Sequence, residues 1–217
     1  MNKRIVIDIL MTVLMPLLMA YSLIGETFHE IAGIIAFVLF IIHHFRNRGW
    51  YKAVNKGKYD SVRIFRTVIN TFLLIFMILQ PVTGILMSKH ILVSLTIPGF
   101  TATARSIHLV LAYWGFVLLS LHAGTHMEAP LKKLRSSKPD VEKGLRSAAA
   151  VVSLYGIYAF MKRGFLDYMF LRQSFAFIDT NEPLILFMMD YISIMILFGT
   201  AGYLIIQKLR GMKDERN

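Results

Sequence analysis

Six runs of apolar residues, most of them close to bilayer length, leave this chain few ways to fold. They occupy residues 5–24, 28–45, 67–87, 107–127, 148–161 and 184–206. A helix needs about 20 mostly apolar residues to cross the hydrocarbon core. In lipid the backbone must satisfy its own hydrogen bonds, which restricts spanning segments to helices and closed barrels. The runs therefore predict an all-α integral membrane bundle of about six transmembrane helices. The hydrophobic fraction, 56%, exceeds the roughly 45–50% of soluble domains. The first run follows basic Lys3 and Arg4 like a signal peptide. It is longer than a signal core and lacks an A-x-A site, so a retained span is expected. The fifth run is short, and is expected to tilt, to be partly re-entrant, or to extend through 144–147.

Basic residues set the expected orientation. With the N-terminus inside, 19 of the 24 Lys and Arg fall on the inner side and 5 on the outer side. Cytoplasmic loops carry the excess of Lys and Arg, so a cell-membrane, multi-pass protein with both termini cytoplasmic is expected. That placement requires an even number of spans. The net charge of +11 is thus read as topology, not as nucleic-acid binding, and membrane lipid is the expected surrounding partner. The outer segments 88–104 and 162–182 are apolar or aromatic. They suit interfacial helices, or alternatively a docking surface for a redox partner or quinone. The second carries Phe165, Tyr168, Phe170, Phe175 and Phe177, and Pro98-Gly99 breaks the first.

There is no cysteine, which excludes disulfides, thiolate metal sites, iron–sulfur clusters and covalent haem attachment. Any metal or haem must be held by other side chains. Of seven histidines, six (His29, His43, His44, His108, His122, His126) lie in or at the end of the second and fourth runs. Ionisable residues in spans are costly and usually functional. His29 and His43 are 14 apart, as are His108 and His122, and both members of the second pair follow the first by 79. Fourteen helical residues turn about 1,400°, close to four full turns, and rise about 21 Å. Each pair therefore lies near one helix face, with one residue per leaflet. The second and fourth spans run in the same direction, so His29 is level with His108, and His43 with His122.

Two facing imidazoles at each depth can supply both axial ligands of a haem iron, giving a four-helix core with two haem b groups and metal ligands His29, His43, His108 and His122. Zinc is disfavoured because two of the ligands lie about 21 Å from the other two. Buried histidines that hydrogen-bond between helices, or proton or metal relays, are the alternatives. His44 is about 60° from the His29 direction and His126 one turn beyond His122. Both are second choices for ligation or contacts to a propionate, and His90 is read as a solvated loop residue.

At these residues the sequence resembles a known family. The runs HEIAGIIAFVLFIIHHFRNRGWYK and RSIHLVLAYWGFVLLSLHAGTH are similar to the flavinylation-associated cytochromes, the DUF4405 domain. The His pairs also resemble those of ferric reductase and NADPH oxidase membrane domains. The likeness covers residues 5–127. It implies haem b on His29, His43, His108 and His122, and electron delivery across the membrane to extracytoplasmic acceptors such as a flavinylated protein. Unlike ferric reductases, the sequence carries no G-x-G-x-x-G fingerprint, so the expected donor is a separate protein or a membrane quinol. The expected organisation is a diheme core of two helix-pair repeats at 1–127, a basic cytoplasmic loop at 128–147, and two further spans at 148–217. The protein would be an electron-transfer component of an oxidoreductase system. The competing class is a non-redox helical membrane protein, a small transporter or anchor subunit.

Supporting residues follow from haem chemistry. Arg105 is a candidate cation for propionates at the outer site, Arg46 and Arg48 at the inner one, with lipid-facing anchors as the alternative. Gly33 and Gly115 would admit a porphyrin edge or allow close helix packing. Gln80-Pro81 and Gly84 suggest a kink. Asp190 is expected to relay a proton at a quinol site or to pair with Lys162 or Arg163, and Asp8 to pair with Lys3 or Arg4.

Overall fold

The computed structural model describes residues 3–176 and 179–214, with side chains described for 5–176 and 179–212. Phe177 of the outer aromatic segment, the Lys3 and Arg4 side chains expected beside Asp8, and Lys213 and Arg216 of the charge count lie outside the described side chains. Among the described residues every long element is an α-helix. In chain order these are α1 (Lys3–Met19), α2 (Tyr21–Ile24), α3 (Glu26–Arg46), α4 (Gly49–Ala53), α5 (Ser61–Leu86), α6 (Thr101–Thr125), α7 (Glu128–Ser137), α8 (Pro139–Lys162), α9 (Phe165–Met169) and α10 (Leu184–Asp214). A single 3₁₀ turn, Val93–Leu95, lies between α5 and α6.

Five of these helices, α3, α5, α6, α8 and α10, are long and apolar enough to cross a membrane. The apolar part of α1, Ile5–Met19, rises only about 22 Å at 1.5 Å per residue, less than the ~30 Å hydrocarbon core. The expected six spans are therefore five of full length and one short. The first apolar run does not form one continuous helix. It turns at Ala20, adds the four-residue α2, and ends at Gly25 with φ 86°, a conformation that glycine adopts without a Cβ penalty.

The fifth run shows the opposite difference. Its helix, α8, begins at Pro139, nine residues before the apolar stretch, and spans 24 residues. Proline suits the first helical turn because its missing N–H has no partner there anyway. Asp140 and Glu142 in that turn favour the positive end of the helix dipole. Glu142, 2% exposed, meets Arg135 at 2.9 Å and Arg146 at 3.7 Å, so its charge is paired. The outer segments are shorter in helix than expected. Residues 88–104 carry only the 3₁₀ turn before α6 starts at Thr101, and residues 162–182 carry only the five-residue α9 among those described.

The chain divides into two compact units. The first comprises Met1–Lys58, Leu74–Gly115 and Leu166–Met188, and the second Tyr59–Leu73, Phe116–Phe165 and Met189–Asn217. In the first, α1 packs along α3. Tyr113 stacks on Tyr168 with ring centroids 4.5 Å apart. The Trp114 indole N–H donates to the Met169 carbonyl at 3.0 Å, which fastens the aromatic segment to α6.

In the second unit small residues bring backbones together. A Cβ added at Gly124 would run into the backbone of Gly199, and one at Gly202 into that of Leu121. Gly156 lies equally close to the Ser193 carbonyl. This is the close approach by small residues that drives helix association where lipid offers no hydrophobic contrast. Phe116, Phe165 and Tyr191 fill the space beside it, with centroids 5.5 to 5.8 Å apart. The outward stripe of α8 is apolar: Val151, Leu154, Tyr158 and Met161 are 60–69% exposed. A contiguous exposed apolar face of this kind suits lipid, and the chain is an all-α membrane protein.

Candidate functional site

The first unit places His29, at the start of α3, against His108, in the first third of α6. Their ring centroids are 6.3 Å apart, with the planes inclined by 69°. Each element contributes for a local reason. Gly25 ends α2 and lets α3 begin at Glu26, three residues before His29. Gly99, with φ 86°, turns the chain so that α6 starts at Thr101. Two imidazoles that bind one metal ion from opposite sides, through metal–nitrogen bonds of about 2 Å and rings of ~1.33 Å bonds, have centroids roughly 6.3 Å apart. The observed separation fits one metal between the rings.

The hydrogen bonds of His108 fix its tautomer. The Thr83 hydroxyl is committed to the carbonyls of Leu79 and Gln80 at 3.1 and 2.9 Å. The His108 Nδ1–H therefore donates, to Thr83 Oγ1 at 3.0 Å and the Gln80 carbonyl at 3.2 Å. Its Nε2 carries the lone pair, approached by the Gln80 side-chain amide at 3.1 Å, while Gln80 Oε1 is buried without a partner. A backbone carbonyl on one ring nitrogen, leaving the other as donor atom, is the usual support for a metal-ligating histidine. His29 Nδ1 is likewise buried without a hydrogen-bond partner, with Tyr21 edge-on at 5.8 Å. An unpaired buried nitrogen carries a desolvation cost, which a bond at Nδ1 itself would offset.

The surroundings leave room. A Cβ added at Gly33 or at Gly115 would meet nothing within 4 Å. Gly115 is buried and Gly33 partly exposed, and neither meets a neighbouring helix backbone as Gly124, Gly156 and Gly202 do. Gly84 lies in van der Waals range of the His108 ring, 3.5 Å from a built Cβ. Pro81 is accommodated inside an unbroken α5. Arg105, one turn before His108, lies over the Phe175 ring at 5.2 Å.

The loop after α5 is clasped to α3 next to this site. Glu30 accepts from Ser88 Oγ at 2.8 Å and from the backbone N–H groups of Lys89 at 2.8 Å and Ile91 at 2.9 Å. Glu26 meets Lys89 at 2.7 Å and His90 at 3.2 Å. His90 is exposed, as expected of a loop residue, yet paired.

The second candidate pair is divided between the units, His43 in the first and His122 in the second. His43 is half-buried, and its Nδ1 lies 2.8 Å from Asp8 Oδ1 on α1. The expected pairing of Asp8 with Lys3 or Arg4 falls on side chains outside those described. His44 meets the Tyr51 hydroxyl at 2.6 Å and packs on Phe40, 4.3 Å between centroids. Arg46 Nε is buried without a partner, an orphaned cationic donor suited to an anionic group. Arg48 instead lies over Phe45 at 5.1 Å.

In the second unit, the His122 Nδ1–H donates to Asn70 Oδ1 at 2.8 Å. His126 is exposed, 4.8 Å from the His122 ring. Asp190 is 1% exposed and accepts from Tyr155 at 2.5 Å, Lys162 at 2.9 Å and Arg163 Nη2 at 2.6 Å. It thus pairs with both expected cations at once, and is held as an ion-pair anchor between α8 and α10.

Among the described residues no group of three or more His, Cys, Asp or Glu is placed to hold a metal ion. A pair of imidazoles supplies two donors, which suits a metal whose other positions are filled by a macrocycle. Four polar partners were missed in the sequence: Asp8, Asn70, Thr83 and the Gln80 carbonyl. The available signal was that Asn70, Gln80 and Thr83 are polar side chains inside an apolar run, where each needs a partner. No protein-family model, curated protein or solved structure matches the chain.

Proposed function

We propose that the protein is a diheme b-type cytochrome that carries electrons across the membrane. The observation that carries this reading is the pair His29 and His108, whose ring centroids lie 6.3 Å apart, a separation at which both imidazoles would be able to hold one iron. Haem b would supply a reversible one-electron iron couple at each site. His29 and His108 would hold one haem, and His43 and His122 the other, with His44 and His126 as neighbours of the second. Thr83 and the Gln80 carbonyl keep the His108 Nδ1 protonated, so that Nε2 remains a donor atom. Gly33 and Gly115 keep side chains out of the space that a flat ring needs. Arg105 and Arg46 would meet carboxylates at the ring edge, Arg46 through a guanidinium nitrogen that now has no partner.

In this reading both termini are cytoplasmic and the His29–His108 site lies towards the outer face. The donor is a quinol or a cytoplasmic protein, and the acceptor an extracytoplasmic protein such as a flavinylated one, as the resemblance to flavinylation-associated cytochromes implies. The second reading, a non-redox membrane protein whose histidines join helices, is favoured by the bonds from His108 to α5. Reduced-minus-oxidised spectra of single variants separate the two. His29→Ala and His108→Ala are each expected to remove the same haem and spare most of the other. Equal loss of all haem in every single variant would argue for one shared site.

A further inference from the structure

Asp8 lies in the second turn of α1 and His43 at the far end of α3, and their side chains meet at 2.8 Å. The hydrogen bond lies inside one unit, between a half-buried imidazole and a largely exposed carboxylate. It has the form of the carboxylate–histidine pairs that orient metal ligands, in which the carboxylate accepts from Nδ1–H, leaves Nε2 to the metal and makes the ring a stronger electron donor. His108 is held differently, because its Nδ1–H meets the uncharged oxygens of Thr83 and Gln80. His122 meets the amide oxygen of Asn70.

Resting on the diheme reading, we infer that Asp8 is a positioning residue that fixes the His43 tautomer and makes the haem site on His43 the more reducing of the two. A stronger donor stabilises ferric over ferrous iron, and hydrogen bonding to the far nitrogen of a ligating imidazole is one of the levers that set haem potentials. The His44 Nδ1 meets the uncharged Tyr51 hydroxyl instead, so of these two neighbours His43 is the one with a carboxylate partner.

The test is a spectroscopically monitored redox titration of the full-length protein, with haem content measured in parallel. In Asp8→Ala, one of the two potentials rises, by about 59 mV for each tenfold loss of preference for ferric haem. Alternatively that haem is bound about 10- to 100-fold more weakly. Asp8→Asn still accepts from Nδ1–H without the charge, and so keeps both haems while showing the raised potential. The Asp8 side chain is 53% exposed, so both variants are expected to fold, which circular dichroism checks. A wild type with two haems, alongside Asp8→Ala with both potentials and full haem content unchanged, overturns this inference and leaves the diheme reading standing. A folded wild type without haem removes both.

Discussion

Substituting Asp190 tests the ion-pair anchor of the second unit most sharply. The carboxylate is 1% exposed and faces Lys162, 41% exposed, and Arg163, 12% exposed. In Asp190→Ala, the lysine can return its ammonium to water, so its share of the loss is under about 1 kcal/mol, as for exposed pairs. The arginine is far less exposed and loses its charged hydrogen bonds to Asp190, worth about 1.5–3 kcal/mol, which is the expected destabilisation. Arg163→Ala leaves Asp190 with Lys162 and Tyr155, and costs about 1.5–3 kcal/mol, the worth of a charged hydrogen bond. The double variant should be more stable than the sum of the singles predicts, because both singles remove the same interaction. Unfolding of the detergent-solubilised protein, followed by circular dichroism, measures all three. Asp190→Ala within about 1 kcal/mol of the wild type, with an additive double variant, would refute the claim that these charges are desolvated together.

Three further outcomes are expected. Gly124→Val places a side chain into the Gly199 backbone and should destabilise by at least the roughly 1–3 kcal/mol of overpacking, seen as a lower unfolding midpoint. Gly115→Leu fills space that now holds no atom within 4 Å of a built Cβ. Haem content should fall while helix content and unfolding midpoint hold, and an unchanged haem content would show that the space serves nothing flat. Thr83→Val removes one acceptor from His108 but leaves the Gln80 carbonyl, so it should shift the spectrum or potential of one haem without its loss. Loss of both haems would show that the hydroxyl acts on the fold instead.

The spans were legible where apolar length alone decides the outcome. The second, third, fourth and sixth runs became α3, α5, α6 and α10 because each is long enough to satisfy its backbone in lipid without help. The edges were not legible, since they depend on local backbone chemistry and distant partners. The first run turned at Ala20 between α1 and α2 and ended at Gly25, whereas Pro139 and the paired Glu142 carried α8 well beyond its apolar stretch. The facing of His29 and His108 was legible from their spacing, because helical periodicity fixes which residues share a face. Their supports were not, because the face an adjacent helix turns towards them is not written in either segment. Asp8 illustrates the difference. Sequence offers it Lys3 and Arg4 nearby, but the packing of α1 along α3 brings it His43, 35 positions away. For Asp190 the sequence offered a proton relay or a pairing with Lys162 or Arg163, and the structure pairs it with both cations.

The pyridine-haemochrome content of the purified, full-length protein bears most directly on the central claim. Two b-type haems per chain are predicted. A monodisperse, helical preparation that contains none, even when expressed with ample haem supply, would contradict the account.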